Sequence, residues 1–101
     1  MVVVVFSITL RPDLERSRYE ETGTRMVELV SQMPGFLGMD YGETDGAELL
    51  VARFESHEAL AAWRNHPEHQ AAQERGREHF FAHYRIDVCE TVRTYEFQHD
   101  E

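Results

Sequence analysis

The chain has 101 residues, a formal net charge of −9, 42% hydrophobic residues, ten basic residues that are all arginine, and one cysteine. That length is one domain with room for a real core, but a monomer this small leaves much of its surface in water, which favours a dimer. The acidic balance disfavours nucleic acid and anionic membranes as partners, the lone Cys89 rules out an internal disulfide and fits a reducing cytoplasm, and no stretch approaches a secretory signal or a membrane span.

Val2 to Leu10 is β-branched and alternates in its second half, with Phe6, Ile8 and Leu10 against Ser7 and Thr9. It reads as a strand whose start is covered on both sides. Pro12 and Asp13 open a helix, with Asp13 and Glu15 near its positive end. Its apolar face is Thr22, Met26, Leu29, Val30 and Met33, and Met33-Pro34-Gly35 stops it. Phe36 to Glu43 is a second strand, with Leu37, Met39 and Tyr41 on one face and Gly38 and Gly42 on the other. Thr44-Asp45-Gly46 signals a hairpin turn. Glu48 to Glu55 is the third strand, with Leu50, Ala52 and Phe54 on one side.

Ser56 can cap the next helix, which puts Ala59, Leu60 and Trp63 on one face. Pro67 has no N–H and pushes His66 out of helical geometry. The helix therefore breaks or restarts with Pro67 in first position. The new piece carries His69, Ala72, Gln73, Gly76 and Phe80 on one face. Tyr84 to Phe97 reads as a long last strand, in which Tyr84, Ile86, Val88 and Val92 share a face and Tyr95 and Phe97 fall on the other, a switch that suggests a bulge.

The order β-α-β-β-α-β is the split, ferredoxin-like α+β pattern. Two right-handed crossovers place both helices on one face of a four-stranded antiparallel sheet. The other face needs a cover, and a second subunit packing sheet to sheet supplies one, with Tyr95 and Phe97 helping to lock the homodimer. The domain is expected over 1–97, followed by a polar tail over 98–101.

Three stretches carry a family resemblance: Met33-Pro34-Gly35-Phe36-Leu37-Gly38, the strand Leu50-Val51-Ala52-Arg53-Phe54, and Ala62-Trp63-Arg64 followed by His66-Pro67-Glu68-His69. Gly76-Arg77 and the closing strand add to them. The chain resembles the antibiotic biosynthesis monooxygenase family, whose members form dimeric α+β barrels. The resemblance implies a small monooxygenase without a cofactor, acting on a phenolic or quinol compound. The substrate loses a proton in an apolar pocket, its anion reduces O2 directly, and the radical pair recombines to give a quinone. Such chemistry asks for a base, an oxyanion donor and a dry cavity. No metal-binding or phosphate-binding motif is present. The alternatives are a non-enzymatic small-ligand-binding or stress-associated dimer of the same fold and, third, haem binding or degradation. The family's haem-degrading branch is matched by Trp63, but its iron-binding histidine falls on Gln73 and its first-strand asparagine near Phe6. Glutamine is a poor haem ligand.

The candidate base or donor is His69, with His66 second, because imidazole titrates near neutral pH. His66 reads equally as a helix cap. Trp63 is a pocket wall or a core residue. With it, Phe6, Met39, Phe54, Gln73 and Phe80 are the expected substrate-contacting residues around a small aromatic ligand. His79 and His83 have the i, i+4 spacing of a helical metal pair but lack a third ligand. Arg53 reads as one half of an ion pair.

Overall fold

A computed structural model describes residues 1–100. In chain order it contains β1 (Val2–Leu10), α1 (Arg16–Val30), β2 (Phe36–Thr44), β3 (Ala47–Phe54), α2 (His57–Arg64), α3 (Pro67–Arg75), a π-helical turn (Gly76–Phe80) and β4 (Phe81–Glu90). The strands form one antiparallel sheet in the order β2-β3-β1-β4. This is the ferredoxin-like α+β architecture, with the second helix split in two. No helix of the described residues is long and apolar enough to cross a membrane.

The register shows which residues share a face. Val4 lies between Ala52 of β3 and Val88 of β4, and Phe6 between Leu50 and Ile86. The helices pack on this face, where Val2, Val30, Ala52, Phe54, Leu60 and Trp63 form the buried core and Met26, Leu29, Met33, Phe36 and Met39 close around it. The opposite face carries Val3, Val5, Leu49 and Val51, and a cross-strand ion pair of 2.9 Å between Arg53 and Asp40. The alternation expected for β1 and β3 therefore holds, because each strand has one face against the helices.

Four local expectations need correction. α1 begins at Arg16, not at Pro12, because the segment before it is used for a different contact. The Arg11 N–H bonds the Phe80 carbonyl at 2.8 Å, and the Arg11 guanidinium donates to the carbonyls of Arg77 (2.8 Å), Glu78 (2.7 Å) and Phe81 (3.2 Å). Pro12 and Asp13 form a turn leaving that clamp.

In β2, Leu37 does not share a face with Met39. The register slips between Phe36 and Gly38, so Phe36 faces Phe54 while Leu37 is turned out and exposed. Gly38, at φ 138°, takes a backbone conformation that a side chain would strain.

The last strand starts earlier and ends earlier than its sequence pattern suggests. β1 pairs with β4 from Val2 opposite Glu90, and the Thr91 N–H bonds the Met1 carbonyl at 2.9 Å. Beyond that point β4 has no paired strand among the described residues. Val92, Tyr95 and Phe97 are 93%, 83% and 88% exposed. The bulge falls at the other end of β4, between Thr9 and Leu10 of its partner strand.

The π turn, in which the Phe81 N–H reaches back five residues to the Gly76 carbonyl, also departs from the simple helix expected there. It sets the Phe81 ring directly against Gly76, where a Cβ would stand 2.2 Å from a ring carbon.

The Arg11 fork ties the loop after β1 to this turn through three side-chain hydrogen bonds. Arg11→Ala is expected to lower the unfolding free energy by about 2 kcal/mol, the scale of lost charge-assisted hydrogen bonds. Arg11→Lys should recover less than half of it, because an ammonium lacks the planar fork. Urea denaturation of the three proteins checks this.

Candidate functional site

The site starts from a missing hydrogen. Ser56 caps α2 by accepting the Ala59 N–H at 3.1 Å, and the helix buries Leu60 and Trp63. In a continuous helix the Trp63 carbonyl would accept from the N–H four residues on. That residue is Pro67, which has none. The Trp63 carbonyl accepts instead from the His66 N–H at 3.0 Å and from Nδ1 of His69 at 3.1 Å. His66 leaves helical geometry (φ −64°, ψ 126°) and becomes the cap of α3, its Nδ1 accepting the Glu68 N–H at 3.1 Å.

These contacts fix the two imidazoles in opposite tautomers. A carbonyl can only accept, so His69 carries its proton on Nδ1 and leaves Nε2 bare when neutral. A backbone N–H can only donate, so neutral His66 has a bare Nδ1 and a proton on Nε2. The His69 ring stacks on the Trp63 indole, centroids 4.2 Å apart and planes 18° apart, and the His66 ring lies 5.9 Å from the same indole. Burial against that surface pushes the His69 pKa below its ordinary 6.5; the hydrogen bond to Trp63 pulls it back in part, and the neighbouring His66 lowers it further. The arrangement sets a proton acceptor, His69 Nε2, beside a proton donor, His66 Nε2–H.

The remaining expected residues divide into groups. Phe54 is fully buried in the same core as Trp63, edge-on to Phe36 at 5.6 Å, and Met39 packs on that core. Phe6 belongs to a second aromatic group, edge-on to Phe81 at 5.9 Å and Tyr84 at 5.5 Å. Phe80 belongs to a third, edge-on to Tyr19 at 5.4 Å. Gln73 is half-buried one turn beyond His69. The structure thus joins His66, His69 and Trp63 directly, links Phe54 and Met39 to them through the core, and puts Phe6 and Phe80 in separate ring clusters. Next to Phe6, the helix side of β4 is open: Ile86 and Val88 are 40% and 48% exposed.

His79 lies on the π turn and His83 on β4, so the two do not form a helical pair. No group of three or more metal-ligating side chains occurs among the described residues.

A polar cluster escaped the sequence reading. Glu48 is the one buried charged residue on the helix side of β3. Tyr19 of α1 donates to its carboxylate, and Arg16 stands 3.9 Å from the second oxygen. Burial, and then the bond to Glu48, push the Tyr19 hydroxyl well above its ordinary range. Two signals were available. Glu48 is in phase with Leu50, Ala52 and Phe54, and Tyr19 is three residues before Thr22 on the apolar face of α1.

The fold is of the ferredoxin-like α+β class. The family model described as antibiotic biosynthesis monooxygenase matches residues 1–75. The chain is 42% identical over 81 residues to the uncharacterized protein YqjZ of Bacillus subtilis (strain 168), covering 79% of this chain and 71% of that one. It belongs to the antibiotic biosynthesis monooxygenase family. The fold is shared with Rv0793 from Mycobacterium tuberculosis, at TM-score 0.82, 22% identity and coverage of 94% and 98% of the two chains. It is also shared with SnoaB from Streptomyces nogalater, a cofactor-independent oxygenase, at TM-score 0.75, 16% identity and coverage of 92% and 94%.

The lowered pKa of His69 has a consequence for stability. Its folded pKa lies below the unfolded value, so its contribution is complete above about 6.5 and is lost as pH falls through the lowered folded value. Between about pH 7 and about pH 5, the urea midpoint of the native protein is expected to fall more steeply than that of His69→Gln.

Proposed function

We propose that the protein is a cofactor-independent monooxygenase that oxidises a small phenolic or quinol compound with O2. The observation that carries this reading is His69: half-buried, stacked on Trp63, held neutral, and presenting an unprotonated Nε2. The SnoaB likeness in fold and its description as a cofactor-independent oxygenase support it.

In this reading His69 Nε2 takes the proton of a substrate hydroxyl. The electron-rich anion passes one electron to O2, giving a carbon-centred radical and superoxide. Their combination forms one C–O bond, and the proton on His69 returns to the peroxide oxygen. The hydroperoxide then loses water from its H–C–O–OH unit. One oxygen atom remains as the new carbonyl and the other leaves as water. His66 Nε2–H is the donor to the oxyanion. Trp63 and Gln73, next to His69, shape the surface around the aromatic ring, with Phe54 and Met39 behind Trp63 in the core, while Phe6 and Phe80 stand in their own ring clusters away from it. The open strip at Ile86 and Val88 is the way in.

The active form in this reading is a homodimer. Val3, Val5, Leu49 and Val51 form an apolar face with no helix over it, and Val92, Tyr95 and Phe97 stand in solvent after β4. A second copy packed on that face covers both. The single exposed Cys89 suits a cytoplasmic setting.

A second reading is a small-ligand-binding protein without catalysis. It is favoured by the burial of Phe54 and Trp63, which fill the core beneath His69.

Oxygen uptake separates the two. EDTA-treated protein given a panel of dihydroquinones and anthrone-like phenols should consume O2 above autoxidation, and His69→Ala should lose roughly a hundredfold or more, within the range for a positioned base. Uptake equal to that of boiled protein on every compound that binds would favour the binding reading.

A further inference from the structure

Between the segment after β1 and the β2–β3 hairpin lies an open cleft of about 510 Å³, lined by Leu10, Pro12, Leu14 and Arg16 from the first and by Glu43 and Glu48 from the second. Its volume is within the range of small-molecule sites. Glu48 lines it while only 6% exposed. Few partners offset the burial of that carboxylate. Tyr19 gives it one hydrogen bond, and Arg16, itself 59% exposed, stands 3.9 Å away, beyond hydrogen-bonding distance. Glu43 is directly opposite Glu48 in the register, a like-charged neighbour. Tyr41, which donates to Glu43 at 2.6 Å, is within reach of both. Each carboxyl oxygen has lone pairs to spare beyond the Tyr19 bond, so Glu48 can take another donor from the cleft.

The surroundings narrow what that donor is. An anionic ligand meets Glu43 and Glu48. A cationic one meets Arg16 and Arg11, and Arg11 cannot turn away because its guanidinium is tied to three carbonyls. A neutral hydroxyl on an apolar body suits both the carboxylate and the leucine–proline wall. On the inner side, Tyr19 leads from Glu48 to Phe80 by ring contact.

We propose that Glu48, held in place by Tyr19, is the specificity residue of this cleft, and that the cleft takes a neutral aromatic ring bearing a hydroxyl group. The proposal draws on the oxygenase reading only for the aromatic nature of the ligand. Binding through Glu48 does not depend on His69.

The test is an NMR titration of the labelled full chain with 1-naphthol and, separately, its methyl ether, benzylammonium and benzoate. Naphthol should shift the amides of residues 10–16 and 43–48 and bind roughly tenfold more tightly than the ether, the scale of one hydrogen bond to a charged group. The two charged probes should bind more weakly than naphthol. Glu48→Gln should cost naphthol about the same factor, and His69→Ala should leave its affinity unchanged even if oxygen uptake is lost. Equal affinity for naphthol and its ether, preference for either charged probe, or shifts confined to the Trp63–His69 region would overturn the proposal. The ether comparison uses the unaltered protein, so it decides even if Glu48→Gln does not fold.

Discussion

The site depends on a carbonyl that lost its helical partner. Pro67 cannot donate to Trp63, so the oxygen of Trp63 is available to a side chain, and His69 is one turn into the next helix to use it. Everything else about the pair follows. The bond draws the imidazole onto the indole, sets its tautomer and leaves Nε2 bare. The same break makes His66 a cap and sets the opposite tautomer there. One residue without an N–H thus produces an acceptor and a donor side by side. Burial against Trp63 then keeps His69 neutral at a pH where a free imidazole begins to charge.

A second junction positions the far end of the helix layer. Arg11 ties the loop after β1 to the carbonyls around the π turn, and that turn seats Phe81 on Gly76 and Phe80 on Tyr19. Tyr19 in turn holds Glu48. The extra residue of the π turn puts consecutive phenylalanines to use in different clusters, Phe81 with Phe6 and Tyr84, Phe80 with α1. This explains why the aromatic residues do not converge on one pocket, as their common helix-side placement suggests. They instead form separate ring clusters, Phe36 with Phe54, Phe6 with Phe81 and Tyr84, and Phe80 with Tyr19.

Much of this was legible in the sequence. The alternation of Phe6 and Ile8 in the second half of β1 and of Leu50, Ala52 and Phe54 in β3 is readable because the helices cover that face. The Ser56 cap and the break at Pro67 rest on covalent chemistry that tertiary contacts cannot change. The misses share a cause, which is dependence on a partner distant in sequence. The start of α1 is delayed because Arg11 binds carbonyls 66 to 70 residues away. β4 stops at Glu90 because its neighbour starts at Val2, and no property of Val92 to Phe97 itself signals that. The slip at Leu37 is a matter of pairing with Arg53 and Phe54. Within the site, the sequence places Trp63 on the apolar face of one helical piece and His69 on a face of the next, but a side-chain bond to the carbonyl freed by Pro67 shows only in three dimensions. Glu48 shows in the sequence only as a charge in phase with Leu50, Ala52 and Phe54, and its partner Tyr19 lies 29 residues away.

The most direct measurement is the tautomer and titration of His69 by nitrogen-detected NMR on the imidazole rings. The account predicts a proton on Nδ1, a bare Nε2 and a midpoint below the ordinary 6.5, with His66 showing the opposite tautomer. A proton on Nε2 of His69, or a midpoint above 6.5, would contradict the account, because the base would then be blocked or charged at neutral pH.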